Sequence, residues 1–227
     1  MIMRKKSLSL LIALAMFLTA FAVTGVPEKA YAAGVDKIGD AYTTLYYTKA
    51  KNWNTEWIAD KDMVTIDMAT AKSSNPSVAV LTEDTWKGDD GKTYGSYVIK
   101  SKKPGKATLT FQVKNPDADS YVTKTVKVKV VKFVYPGKVF KVGKKSFVKK
   151  YKGKPYYYVS KKLSGKVKVK AKKGWKVDGI YFYDSSKDKS KKIKNGKKVK
   201  FDKYDSLSVC FKKKGANLYV WTYLDRT

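Results

Sequence analysis

From Val64 onward the chain consists of short stretches in which every second residue is Val, Ile, Leu, Tyr or Phe, divided by clusters of Gly, Pro, Asn and Asp. A period of two puts alternate side chains on opposite faces of an extended backbone, so the pattern demands half-buried antiparallel strands and leaves little room for amphipathic helices. In the first half, Val64, Ile66 and Met68 alternate, then Val78 with Val80 and Tyr97 with Ile99. Ala107, Leu109, Phe111 and Val113 share one face of the next stretch, Asn115-Pro116-Asp117 ends it as a turn, and Val126, Val128 and Val130 form the last strand. Residues 41–57, with Tyr42, Leu45, Tyr46 and Trp53, lack the alternation and read as a short helix or an irregular lead-in.

Tyr135-Pro136-Gly137 interrupts the pattern and is the best boundary, because the charge balance changes there. Residues 34–131 carry 15 Lys against 12 Asp or Glu, a net of +3; residues 132–227 carry 30 Lys or Arg against 6 Asp, a net of +24. Beyond the boundary, Val139, Phe140 and Val142 open a second set of strands, followed by residues 147–151 and Tyr156-Tyr157-Tyr158. Val167, Val169 and Ala171 face one way and Lys166, Lys168, Lys170 and Lys172 the other. Asn195-Gly196, between Ile193 and Val199, has the chemistry of a two-residue hairpin turn. Leu207, Val209 and Phe211, then residues 218–224, supply the closing strands. The expected fold is all-β, with two β-sandwich domains in tandem.

Arg4, Lys5 and Lys6 precede an apolar run over residues 8–23, and Ala30-Tyr31-Ala32 forms a small-x-small site before Ala33, the pattern of a cleavable secretory signal. No Cys follows the run to take a lipid, no later stretch approaches membrane-spanning length, and the C-terminal residues resemble no sorting signal. The expected order is a signal peptide over 1–32, the lead-in over 33–59, a sandwich over 60–134, a linker over 135–138 and a strongly basic sandwich-like domain over 139–227. The expected location is secreted or extracellular, with non-covalent attachment to the cell wall. Cys210 is the only cysteine, so no intramolecular disulfide supports this exported chain, which points to a bacterium with a single membrane, of Gram-positive type.

Ser73-Ser74-Asn75-Pro76-Ser77-Val78-Ala79-Val80, then Pro104-Gly105-Lys106-Ala107-Thr108-Leu109-Thr110, then Val126-Lys127-Val128-Lys129-Val130 resemble the bacterial immunoglobulin-like domains of group 2. The resemblance covers residues from about 60 to 133 and implies an immunoglobulin-like β-sandwich of the kind used in cell-surface and adhesion proteins, with no active site. This sequence departs from it at a polar excursion over 83–94, where such domains have a short hairpin.

The chain has no histidine, which removes Ser-His-Asp and Cys-His catalysis and the common zinc sites together. Asp89-Asp90-Gly91, Asp117 with Asp119, and Asp184 with Asp188 sit in turn-like sequence, where Asp bonds nearby backbone amides. Glu83, Asp84, Asp89 and Asp90 match no calcium-loop spacing, and Cys210 lies in a strand pattern as a packed thiol. No catalytic residue, cofactor or metal ligand is expected.

What remains is charge interleaved with aromatic rings. Candidate polyanion-binding residues are Lys166, Lys168, Lys170, Lys172, Lys197, Lys198, Lys212, Lys213 and Lys214. On a strand, alternate lysines stand in one row about 7 Å apart, a spacing that suits repeating polyanions in general. Of the 30 basic residues in this half 29 are lysine, so recognition would be point-charge attraction rather than the bidentate fork of arginine, hence loose and salt-sensitive. The competing reading is a solvated face that keeps the protein soluble and blocks strand-to-strand aggregation. Tyr219, Trp221 and Tyr223 fall on one face of the last strand: exposed, they form a strip for stacking sugars or bases; buried, they are sandwich interior. Trp175, Tyr181 and Tyr183 share that ambiguity. The expected partner is an anionic cell-wall polymer or polysaccharide, with host glycans as the alternative; nucleic acid is disfavoured by export and by the scarcity of arginine.

Overall fold

The structure, a computed structural model, describes residues 34–88 and 90–227. The expected signal peptide and its expected cleavage site, and Asp89 among the acidic candidates, lie outside the described residues.

Seven strands make the first sandwich: β1 (Ala41–Tyr46), β2 (Thr55–Asp60), β3 (Thr65–Ser73), β4 (Ala79–Lys87), β5 (Thr93–Ser101), β6 (Gly105–Lys114) and β7 (Val122–Lys132). One sheet has the order β1-β7-β6-β3, the other β2-β5-β4. The alternation acts as expected: Leu109, Phe111 and Val113 of β6 and Val126, Val128 and Val130 of β7 are buried, and they meet Ile58, Ala79 and Ile99 from the other sheet. Each large apolar side chain taken fully from water contributes about 1.5–3 kcal/mol. Gly105 opens β6 at a φ of +155°, and a Cβ there would press on Val78 at 2.7 Å, so the close approach of turn to core strand requires glycine.

Nine strands make the second: β8 (Gly137–Val142), β9 (Lys145–Ser146), β10 (Tyr156–Val159), β11 (Leu163–Ala171), β12 (Trp175–Asp184), β13 (Lys189–Lys192), β14 (Lys198–Phe201), β15 (Ser206–Lys213) and β16 (Tyr219–Arg226). A sheet of order β10-β16-β15-β12-β13 packs on one of order β14-β11-β8-β9. Phe140, Val167, Val169 and Phe201 from the smaller sheet meet Ile180, Leu207, Val209, Phe211 and Leu224 from the larger. In both sandwiches an early strand runs parallel to the last one, β1 along β7 and β10 along β16, while the other ladders are antiparallel. Two-layer antiparallel sheets closed in this way are immunoglobulin-like sandwiches, and the chain is all-β with two of them in tandem.

Two local expectations differ from what forms. Residues 41–46 are a strand, not a helix or a lead-in. Their alternation is hidden because the inward position is Thr44, whose hydroxyl meets that of Ser101 at 2.6 Å in the core. The polar excursion over 83–94 forms a long hairpin, with β4 and β5 paired out to Lys87 opposite Thr93. Asn195-Gly196 does not close a hairpin, since β13 joins the large sheet and β14 the small one. The Asn195 amide instead pairs with β11 like another strand, accepting from the Val169 N–H at 3.0 Å and donating to the Val169 carbonyl at 2.8 Å. Gly196, at φ +93°, donates to the Val167 carbonyl at 2.7 Å. Asn195→Ala should therefore cost about 1–2 kcal/mol by stranding two half-buried backbone groups, and Asn195→Asp, which keeps the acceptor, should cost less; thermal unfolding checks the order.

The connection between β1 and β2 reaches across to the second sandwich. Buried Asn54 clamps it, accepting from the Tyr47 N–H at 2.6 Å and donating to the Tyr47 carbonyl at 3.2 Å. Tyr47 then packs on Phe133 at 4.8 Å, and Trp53 lies 5.4 Å from Tyr156 and 5.6 Å from Tyr223. The linker is equally committed: Tyr135 is buried and stacks on Tyr151 at 4.8 Å.

Candidate polyanion-binding surface

The outer face of the smaller sheet in the second sandwich carries the lysine row. Because Leu163, Val167 and Val169 of β11 turn into the core, Lys166, Lys168 and Lys170 must turn out, and all three are exposed. Neighbouring strands widen the row into a band. Lys141 of β8 stands opposite Lys168, Lys198 of β14 opposite Lys166, and Lys200 lies one step further along β14 on the same face. Directly opposed residues have Cβ atoms about 5 Å apart, so these like charges repel one another. Among the described residues no carboxylate comes within 4 Å of Lys141, Lys166, Lys168, Lys170 or Lys198, whereas Lys200 reaches Asp202 at 3.8 Å. The band is thus a concentrated positive surface with almost no internal neutralisation, whose field attracts anions in general.

The remaining candidates separate from it. Lys172 leaves the row at a register shift between Lys170 and Ala171, and its ammonium donates to the Tyr135 carbonyl at 2.8 Å while its backbone N–H holds the Pro136 carbonyl, so it grips the linker. Lys197 is exposed in the crossover between sheets. Lys212, Lys213 and Lys214 lie at the end of β15 on the other sheet, where with Lys176 and residues 215–217 they line an open recess. There Lys212 sits over the Tyr219 ring at 4.8 Å and Lys213 over Trp175 at 6.0 Å. Sequence reading missed Lys141 and Lys200, although the alternation of Phe140 with Val142 and of Val199 with Phe201 already carried the signal.

Tyr219, Trp221 and Tyr223 fit neither of the alternatives set out for them. They project from the outer face of the large sheet, away from the core that Val220 and Leu224 enter, yet they do not form an open strip. Tyr223 is buried beneath Trp53, Trp221 packs on Tyr181 at 5.5 Å, and Tyr219 is the most exposed of the three at 38%. Small residues stand opposite these rings, Ser208 across from Tyr223 and Cys210 across from Trp221, and Gly179 on β12 lies against the Tyr181 ring. Burial pushes the Cys210 thiol up to about 12, with Asp178 adding to the rise, so it stays protonated and unreactive.

No family model matches the chain, and none of the curated proteins is similar to it. Among solved structures, the solution structure of Amebosin is similar at 14% identity and a TM-score of 0.25, over 43% of this chain and 93% of that one. The fibronectin(III)-like modules of Clostridium thermocellum CbhA give 14% identity and a TM-score of 0.25 over 72% and 93%. The N-terminal four Ig domains of Dscam1 isoform 7.44 give 8% and 0.21 over 82% and 50%. At these values the likenesses carry no argument about function, and the fold assignment rests on the strand order itself.

Proposed function

We propose that this is a secreted, non-catalytic surface module that holds anionic polymers on the lysine band of its second sandwich. The observation behind this reading is the set of five exposed ammonium groups at Lys141, Lys166, Lys168, Lys170 and Lys198, spread over three adjacent strands without carboxylate partners. Lysine gives a compact point charge, so the binding is loose, register-free and governed by salt. The partner is an anionic wall polymer of a Gram-positive-type bacterium, and the first sandwich, which we read as a relative of the group 2 bacterial immunoglobulin-like domains, spaces or presents the assembly. The lysines on β13, at the edge of the large sheet, have the separate task of blocking strand addition.

The test is retention of purified protein on isolated cell walls with and without their teichoic acid. Retention that depends on the polymer and falls as salt rises is the expected result; retention indifferent to removal of the polymer would sink the reading. Host-glycan binding through Tyr219, Trp221 and Tyr223 gains no support from the geometry, since Tyr223 is covered by Trp53.

A further inference from the structure

The first sandwich has a second unexplained face, on the outside of the β2-β5-β4 sheet. The ladder register places four rows there: Thr55 with Lys100 and Val80, then Trp57 with Val98 and Thr82, then Asp60 with Ser96 and Asp84, then Tyr94 with Trp86. Trp57 and Asp60 would ordinarily point to opposite faces of β2. A register shift between Trp57 and Ala59 puts both on the same face, with Ile58 buried between them, and the indole N–H donates to the Asp60 carboxylate at 2.7 Å.

At the far end, Trp86 and Tyr94 stack at 6.0 Å with 19° between their planes, and the Tyr94 hydroxyl donates to Asp90 at 2.8 Å. Trp57 and Tyr94 are nonetheless 43% and 44% exposed. Large rings held by hydrogen bonds but left open to water are pre-organised platforms rather than core. Their rows lie four residues apart along β5, about 13 Å. Asp60 and Asp84 stand between them, and among the described residues neither has a lysine within 4 Å.

Charge decides what such a face can hold. Asp60 and Asp84, at the centre of the face, repel the polyanions that suit the lysine band, whereas Asp90 is paired with Lys92 at 3.9 Å and Lys100 lies at the end beyond Trp57. The strong net positive charge of the chain repels cations and further copies of itself at range. An uncharged ligand with flat apolar ring faces and many hydroxyl donors meets neither objection: the rings stack on Trp57 and on the Trp86–Tyr94 pair, and the hydroxyls donate to Asp60 and Asp84. We propose that this face binds an uncharged polysaccharide chain along β5. The protein then joins two kinds of polymer, charged on one sandwich and neutral on the other.

The experiment is native affinity electrophoresis of the full secreted chain in gels containing hydroxyethylcellulose, galactomannan or mixed-linkage β-glucan, with dextran sulfate as the charged probe. At least one neutral polymer should retard the protein. Trp57→Ala and Tyr94→Ala should each weaken that retardation at least tenfold while leaving dextran sulfate binding and the melting temperature nearly unchanged, because both side chains lie at the surface. Absence of retardation by every neutral probe overturns the proposal, and so does retardation that both variants preserve. Sedimentation velocity provides the remaining test: concentration-dependent association abolished by Trp57→Ala would assign the face to a second copy instead. Neutral-polymer binding does not use the lysine band, so failure of either proposal leaves the other standing.

Discussion

Replacing Lys141, Lys166, Lys168, Lys170 and Lys198 together with glutamine is expected to weaken binding to a soluble wall teichoic acid on the order of a hundredfold near physiological salt. Counterion release sets the scale: on single-stranded or duplex nucleic acid each phosphate neutralised contributes about 0.7–0.9 to the slope of log affinity against log salt, so on another phosphate polymer losing five contacts should flatten the slope by up to about three. Folding should respond in the opposite direction. The substituted side chains are exposed, and like charges on directly opposed residues repel by less than about 1 kcal/mol in water, so the variant should melt no lower than the parent. A control separates the face from the total charge. Glutamine at Lys149, Lys161, Lys173, Lys189 and Lys194 removes the same charge from exposed positions outside the band, and its salt slope should change much less. Equal weakening by the two variants, read by titration over a salt series, would show that net charge alone is at work.

The lysine band was largely legible in the sequence because a period of two is a local property: once Val167 and Val169 are assigned to the core, Lys166, Lys168 and Lys170 have only one place to go. What sits opposite them was not legible, because strand pairing joins Lys168 to Lys141 and Lys166 to Lys198 across intervals that no local pattern marks. Asn195-Gly196 shows the same division within one motif. Gly196 does take the positive φ that a tight turn needs, but Asn195 does not, and the partner of the motif is β11 rather than its own flanking residues. The strand at Ala41–Tyr46 was missed for a different reason. Thr44 occupies a core position that a hydrophobicity pattern assigns to solvent, and only the Ser101 hydroxyl makes that burial tolerable. The Trp57–Trp86–Tyr94 face was the least visible, since it depends on both a long-range register and a register shift in β2.

Asp225→Asn is expected to raise stability at pH 7 by about 2 kcal/mol and to leave it nearly unchanged at pH 4. Asp225 lies on β16 beside Tyr158 of β10, and its carboxylate accepts from the Ser206 hydroxyl at 2.5 Å. Burial raises its pKa to about 6, and the Ser206 hydrogen bond offsets only part of that rise. An unfolded Asp titrates near 4, so the folded state holds its proton more tightly across the interval between. Below pH 4 both states are protonated and the group costs nothing. From about 4 to 6 the unfolded chain ionises first, the folded state binds more protons, and stability falls as pH rises. Above 6 both are ionised and the deficit is complete, about 1.4 kcal/mol per unit of separation before allowance for partial exposure. Asparagine reproduces the neutral acid: its carbonyl still accepts from Ser206 and it carries no charge to desolvate. Urea unfolding at a series of pH values should therefore show the parent curve dropping away from the variant between pH 4 and 6 and running parallel to it above. A variant less stable than the parent at pH 7 would mean that the ionised carboxylate finds compensation in the folded state, and if that compensation is the long-range field of the protein's net positive charge, repeating the series at high salt would remove the difference.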